Sequence, residues 1–291
     1  MKTMYKFFFA LCLIFATHGV FAKNTTEEYY REVRKSFPVN ANVVLNFDVN
    51  FGHVTATSWD QNHMEILVKI NVDVKSEKRA EQIFQGVQIT ESATNPSVRV
   101  NPGNSKGNNE SYDIYVEVKM PKTTTFTGDI NFGNLSVNSI SGPVSMRIEY
   151  GNVTITEALS NDNDIDVAFG NIIIDVCGGG VINEQYGNVR VKNARGSMEI
   201  EADFGNVEVR GFTKECKRIE INCDYGNIEV NTKGLGYKLK AKVEYGDIEV
   251  EGGNIKVNKD ELGLSKSANG STGDANTELD LECNFGSIEV E

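Results

Sequence analysis

The sequence predicts an all-β fold: a right-handed single-stranded parallel β-helix, or solenoid, with coils of about 17–21 residues and one short helix near the N-terminus. Three observations carry this. First, the motif [Phe/Tyr]-Gly-Asn-[Val/Ile/Leu] recurs at Phe132-Gly133-Asn134, Tyr150-Gly151-Asn152, Phe169-Gly170-Asn171, Tyr186-Gly187-Asn188, Phe204-Gly205-Asn206 and Tyr225-Gly226-Asn227. Variants stand at Phe51-Gly52-His53, Tyr245-Gly246-Asp247 and Phe285-Gly286-Ser287. Second, the glycines from Gly133 to Gly246 lie 18, 19, 17, 18, 21 and 20 residues apart, and Gly286 follows after 40, about two periods. Third, apolar and polar residues alternate on both sides of each glycine, as in Met146, Ile148, Tyr150 and then Val153, Ile155. Period two means two short strands per repeat and leaves no room for a helix.

The elements follow in chain order. Residues 1–22 read as a signal peptide: Lys2 and Lys6, an apolar run over 7–16, then the small-residue site Val20-Phe21-Ala22. Residues 23–122 form a less regular N-terminal part of the solenoid. Within it, Met64–Val72 is a long strand, and Ser76 caps a helix over 77–85 whose Ala80, Ile83, Phe84 and Val87 follow helical spacing, with Gly86 marking its end. That helix is expected to cover the open end of the array, since a bare terminal edge invites self-association. Tyr112–Met120 is a further strand, after a polar loop at Asn101–Ser111. Residues 123–291 are the regular repeat region. The polar stretch 258–277 is expected to loop out of one coil, which would account for the doubled interval. The last coil, ending at Ile288-Glu289-Val290, is then expected at the exposed end, available for pairing and end-to-end self-association.

Two other β architectures use the same pattern. A meander with Gly-Asn at hairpin tips would leave one apolar face uncovered. A membrane barrel needs strands of about 9–11 residues, longer than those here. A solenoid has neither defect.

In a solenoid Gly-Asn is a corner. Stacking at ~4.8 Å aligns Asn134, Asn152, Asn171, Asn188, Asn206 and Asn227 into a hydrogen-bonded amide ladder. Alternation places Phe132, Tyr150, Phe169, Tyr186, Phe204, Tyr225 and Tyr245 in an inner stack. Gly133, Gly151, Gly170, Gly187, Gly205, Gly226 and Gly246 supply the turn. With its amides occupied by one another, the asparagine column reads as structure and not as a ligand site.

Composition narrows function. The net charge is −12, and it becomes more negative when the two leader lysines are removed. That field opposes nucleic acid and anionic lipid. No segment after the leader is long and apolar enough to span a bilayer. Four cysteines remain. Cys223 and Cys283 read as buried thiols two or three coils apart, out of bonding reach, while Cys177 and Cys216 fall in turns where pairing stays open. Outward acids form columns: Glu149, Asp203, Asp224 and Glu244 before the aromatics are weak Ca²⁺ candidates, and Glu208, Glu229, Glu249 and Glu289 follow the corner. No catalytic, cofactor-binding or firm metal site is expected. His53 sits at a corner and His63 before a strand, both in structural positions.

The order of Phe51-Gly52-His53-Val54, Thr57-Ser58-Trp59-Asp60, the long strand, the helix, Val118-Lys119-Met120-Pro121 and the tandem coils resembles the putative-adhesin family of bacterial β-strand-repeat proteins, a domain of unknown function. The resemblance covers nearly all of residues 23–291 and implies a β-solenoid at the cell envelope or outside it. It brings no catalytic residues. Asp247, Ser287 and His53 depart from the ladder amide. The expected function is a non-enzymatic exported interaction scaffold that docks an envelope or extracellular protein or glycan. A periplasmic envelope-stress or ligand-binding component is the alternative. A β-helical polysaccharide lyase or hydrolase is disfavoured, because it needs paired acids in a cleft built by long loops.

Overall fold

The computed structural model describes residues 26–103, 110–260 and 262–291. The expected signal peptide lies outside these residues, as do positions 104–109 of the expected polar loop. Two sheets of 12 and 13 strands face each other, and each coil gives one strand to each sheet. The strand leading into the aromatic belongs to one (the leading sheet) and the strand after Asn to the other (the trailing sheet). Val144–Tyr150 pairs in parallel with Thr125–Phe132 on one side and Asn163–Phe169 on the other. Val153–Ala158 likewise lies between Leu135–Ile140 and Ile172–Cys177. The fold is an all-β solenoid.

The interior is built from stacked aliphatic columns. Ile130, Ile148 and Val167 from one sheet and Leu135, Val153 and Ile172 from the other are essentially inaccessible. No coil could bury these faces alone, so each neighbour contributes about 25 cal/mol per Å² of apolar surface it covers.

The N-terminal end closes with antiparallel pairing. Glu27–Pro38 runs antiparallel to His63–Val74, which runs antiparallel to Ser111–Pro121. Val44–Phe51 and His53–Trp59 form the first coil, paired with Thr125–Phe132 and Leu135–Ile140. The helix Glu77–Gln85 is capped by Ser76, whose hydroxyl accepts from the Arg79 amide at 3.3 Å. It packs on strands of both sheets at this end, burying Ala80, Ile83 and Phe84. Arg31 fixes it from outside, with its guanidinium 4.3 Å from the Phe84 ring and a two-pronged bond to Glu81.

The far end departs from sequence order. Thr277–Phe285 pairs with Arg218–Tyr225 on one side and Tyr237–Tyr245 on the other. Ile288–Val290 likewise separates Ile228–Val230 from Ile248–Val250. The last coil in the chain is therefore not the exposed end of the array; it is wedged inside. Nor does 258–277 loop out of a coil. Lys256–Lys259 and Lys266–Thr272 form an antiparallel hairpin, and Lys266–Thr272 adds antiparallel to Tyr237–Tyr245. The hairpin covers an edge that would otherwise present unpaired backbone groups. The swap also corrects the cysteine geometry: Cys223 and Cys283 are direct register partners on adjacent strands.

Candidate binding face along the aromatic and asparagine ladders

The aromatics do stack, but on the outside. In spatial order Phe51, Phe132, Tyr150, Phe169, Tyr186, Phe204, Tyr225, Phe285 and Tyr245 form a continuous column with centroids 4.8–5.0 Å apart and planes within 9°. Rings such as Phe169 at 41% and Tyr186 at 49% are nearly half exposed. The inward expectation fails because alternation breaks at the bend. Ile148 is buried, but both Glu149 and Tyr150 face out, and Glu149 drops from the pairing register. The interior between the sheets is already filled by aliphatic columns. Each ring covers its neighbours' faces and offers its edge to solvent, so the column is not a platform on which a sugar ring could lie flat. The Phe51 end meets Tyr112 edge-on at 5.5 Å.

At the corner, glycine is enforced by its neighbour. A Cβ on Gly205, whose φ is +152°, would lie 1.5 Å from the Gly187 carbonyl oxygen. That backbone oxygen is held by the coil stacking and cannot move aside.

The six asparagines form the ladder. From Asn134 to Asn206 each Oδ1 accepts both the backbone N–H and the side-chain N–H of the next rung; Asn134 Oδ1 accepts from Asn152 at 2.8 and 3.2 Å. The pattern repeats through Asn171, Asn188, Asn206 and Asn227. The three departures sit at its ends. His53 Nδ1 faces the Asn134 backbone and side-chain nitrogens at 3.3 and 3.2 Å, so the ring takes the acceptor's place in a first rung. Ser287 donates its backbone N–H to Asn227 Oδ1 at 3.0 Å. Asp247, on the final rung, pairs with Lys266 of the end hairpin, and that ammonium holds its carboxyl below the usual range. The ladder uses the acceptors fully, yet an amide carries two N–H groups and each rung spends one inside the column.

Beside the amides runs an open groove of about 780 Å³. Its wall carries Thr154, Ile173, Arg190, Glu208, Glu229 and Glu289 from successive coils. It is polarised along its length, from neutral to strongly acidic. Glu208 is neutralised by Arg190 and Arg210, which hold its carboxyl low against the upward push of partial burial. Beyond it Glu229, Glu289 and Glu249 occupy adjacent rungs without an intervening base. A hydrogen bond with Glu291 is the largest cause raising the Glu289 carboxyl, and its two neighbours add to it.

The four Ca²⁺ candidates are not assembled. Ala168 and Gln185 separate Glu149 from Asp203, and Asn284 stands between Asp224 and Glu244, donating to Asp224 at 2.7 Å. Among the described residues no group of three or more histidine, cysteine or acidic side chains is placed to hold a metal. His63 pairs with Ser36 at 2.7 Å on the surface.

Glu184 was missed by the sequence reading. It occupies the inward position two residues before the aromatic, where Ile148 and Val167 stand in other coils. It is 2% exposed, and neither carboxyl oxygen closes a hydrogen bond. Burial pushes its carboxyl up to about 8, and the nearby backbone amides of Tyr186 and Gly187 offset this only in part. The small Ala202 on the next strand gives it room. A charged residue breaking an aliphatic column was the available signal. Burial also pushes the Cys177 and Cys216 thiols up to about 11; both are free.

Solved structures with a partly similar chain path include proteins from Bacteroides and Parabacteroides species. A protein described as a putative adhesin from Bacteroides fragilis is 12% identical over 90% of this chain and 97% of its own, with a TM-score of 0.37. Another from Parabacteroides merdae is 11% identical over 90% and 96%, at 0.39. A protein described as a putative lipid binding protein from Parabacteroides distasonis is 13% identical over 89% and 96%, at 0.32. Similarity at this level transfers no function. No curated protein matches the sequence. The profile of the Toastrack DUF4097 family matches residues 46–291, from the first coil through the wedged last one. The chain belongs to the Toastrack DUF4097 family.

Proposed function

We propose that this protein is a non-enzymatic, exported interaction scaffold of the bacterial cell envelope or surface, and that it docks an extended polar polymer along the groove beside the asparagine ladder. The observation that supports this is the repeat of the groove itself. Each of the six asparagine-bearing coils offers one uncommitted amide N–H at the ~4.8 Å strand spacing, and a ligand lying along the axis meets the same donor again and again. Weak contacts in register add, as in multivalent binding. The groove wall offers hydrogen-bonding and charged groups suited to a glycan or a peptide strand in extended form. Its acidic end repels nucleic acid.

Expression in its bacterial host tests the location: protease added to intact cells should degrade a surface adhesin. Degradation only after the outer envelope is breached would favour the alternative, a periplasmic ligand-binding or stress component. Docking is tested by titrating soluble envelope oligosaccharides and extended peptides against the purified chain and against Thr154→Arg/Ile173→Arg, which fills the neutral end of the groove. We expect at least a tenfold loss of affinity with the thermal midpoint unchanged. Equal binding by both proteins would remove the groove from the function.

A further inference from the structure

We propose that Cys223 and Cys283 form a disulfide, a covalent modification site that staples the wedged last coil to the coil on which it rests. The two residues are opposite one another in register, on neighbouring parallel strands. Strand spacing of ~4.8 Å lies within the ~4.4–6.8 Å Cα separation that disulfides adopt. Both side chains project from the same inner face, and both are buried. Each thiol now faces a corner carbonyl: Cys223 donates to Gly205 at 3.5 Å and Cys283 to Gly226 at 3.3 Å. Such S–H···O contacts are weak, so turning both sulfurs toward each other about χ1 sacrifices little.

The chemistry is thiol–disulfide exchange with an external disulfide as oxidant. While the last coil is undocked, the Cys283 thiolate attacks one sulfur of the oxidant. A mixed disulfide forms and one thiolate departs. Docking presents Cys223, whose thiolate attacks the Cys283 sulfur, forming the Cys223–Cys283 bond and expelling the second thiolate. The protein's two thiols lose two electrons and two protons, and one oxidant disulfide becomes two thiols. Export, as proposed above, would supply such an oxidant, but the pair's geometry is independent of the groove.

The test uses the full chain, purified reduced and then unfolded and refolded in mixtures of oxidised and reduced glutathione. Digestion without reduction should release a peptide linking Cys223 to Cys283, lighter by two hydrogens than its parts. The unfolding midpoint should rise by roughly 5–10 °C relative to the reduced form. Cys177→Ala/Cys216→Ala should still form the bond, and Cys223→Ala/Cys283→Ala should lose both the link and the shift. Two free thiols at these positions at every glutathione ratio, with the protein folded, would overturn the proposal. So would glutathione adducts alone, or a link found only between Cys177 and Cys216.

Discussion

A corner glycine in this protein is fixed less by its own torsion angles than by the carbonyl beneath it. Two glycines separate these causes. Gly205 and Gly234 both have positive φ, but only a Cβ on Gly205 meets a neighbour, since nothing lies within 4 Å of one on Gly234. Gly234→Ala should cost about 1 kcal/mol of backbone strain. Gly205→Ala should cost at least twice that, because the coils themselves must part. Denaturant melts of the two variants decide it; equal losses would show that the carbonyl contact is unimportant. Glu184 is the second residue whose effect can be isolated. Its folded pKa is raised, so the native state keeps the proton while the unfolded chain releases it. This stability is fully present below about 4.5 and is lost as pH rises toward about 8. Glu184→Gln, uncharged at any pH, should raise the melting temperature most above pH 8 and flatten the decline from pH 5 to 8. A parallel decline in wild type and variant would place the titration elsewhere. Half-exposed rings bring a smaller penalty than buried ones: Phe169→Ala should cost about 1–2 kcal/mol and not the 3–5 of a core ring.

Among the elements, each coil was legible and their neighbours were not. Period two on either side of Phe204-Gly205-Asn206 defines both strands and their inward Ile200 and Val207 without ambiguity. It cannot say which coil stands beside which, because all coils present similar faces and similar edges. Yet the rings hold a trace of the true order. Along the chain Phe and Tyr alternate from Phe132 to Tyr225, then Tyr245 follows Tyr225 directly. In space Phe285 lies between them at 4.8 and 4.9 Å, and alternation runs unbroken from Phe132 to Tyr245. Interleaving keeps parallel phenol dipoles two coils apart. The ladder amides were read correctly from Gly-Asn because their geometry depends only on coil spacing. The outward turn of the rings was not, because the bend at Glu149 lies in the backbone and leaves no apolar signature. Hydrogen exchange tests the element order: Thr277–Phe285 amides should be protected like those of Met198–Phe204, and Lys256–Lys259, an edge strand, should exchange first. Rapid exchange throughout 277–291 would contradict the wedged position.

For the molecule as a whole, stability is shared between neighbours. One end is closed by the helix and antiparallel strands; at the other the Lys256–Thr272 hairpin covers the edge of the leading sheet, with Lys266 reaching Asp247 on the last rung, while Ile248–Val250 is the edge of the trailing sheet. A chain cut after residue 276 should therefore not collapse. Ile219, Ile221, Cys223 and Tyr225 match Leu239, Ala241, Val243 and Tyr245 in spacing, so the final coil can settle one level lower with Tyr225 against Tyr245. We expect a folded protein with a lower melting temperature and retained near-ultraviolet dichroism. Complete unfolding would show that the wedged coil is indispensable.

The inverted order of the last two coils also bears on biosynthesis. A ribosome delivers residues 125–230 in the sequence in which they stack, so that much of the rod can assemble as it emerges. The next coil to appear belongs one level too far out, and its rightful neighbour is still unmade. Completion must wait until residues 277–290 have been made, and the nascent protein keeps an open berth until then.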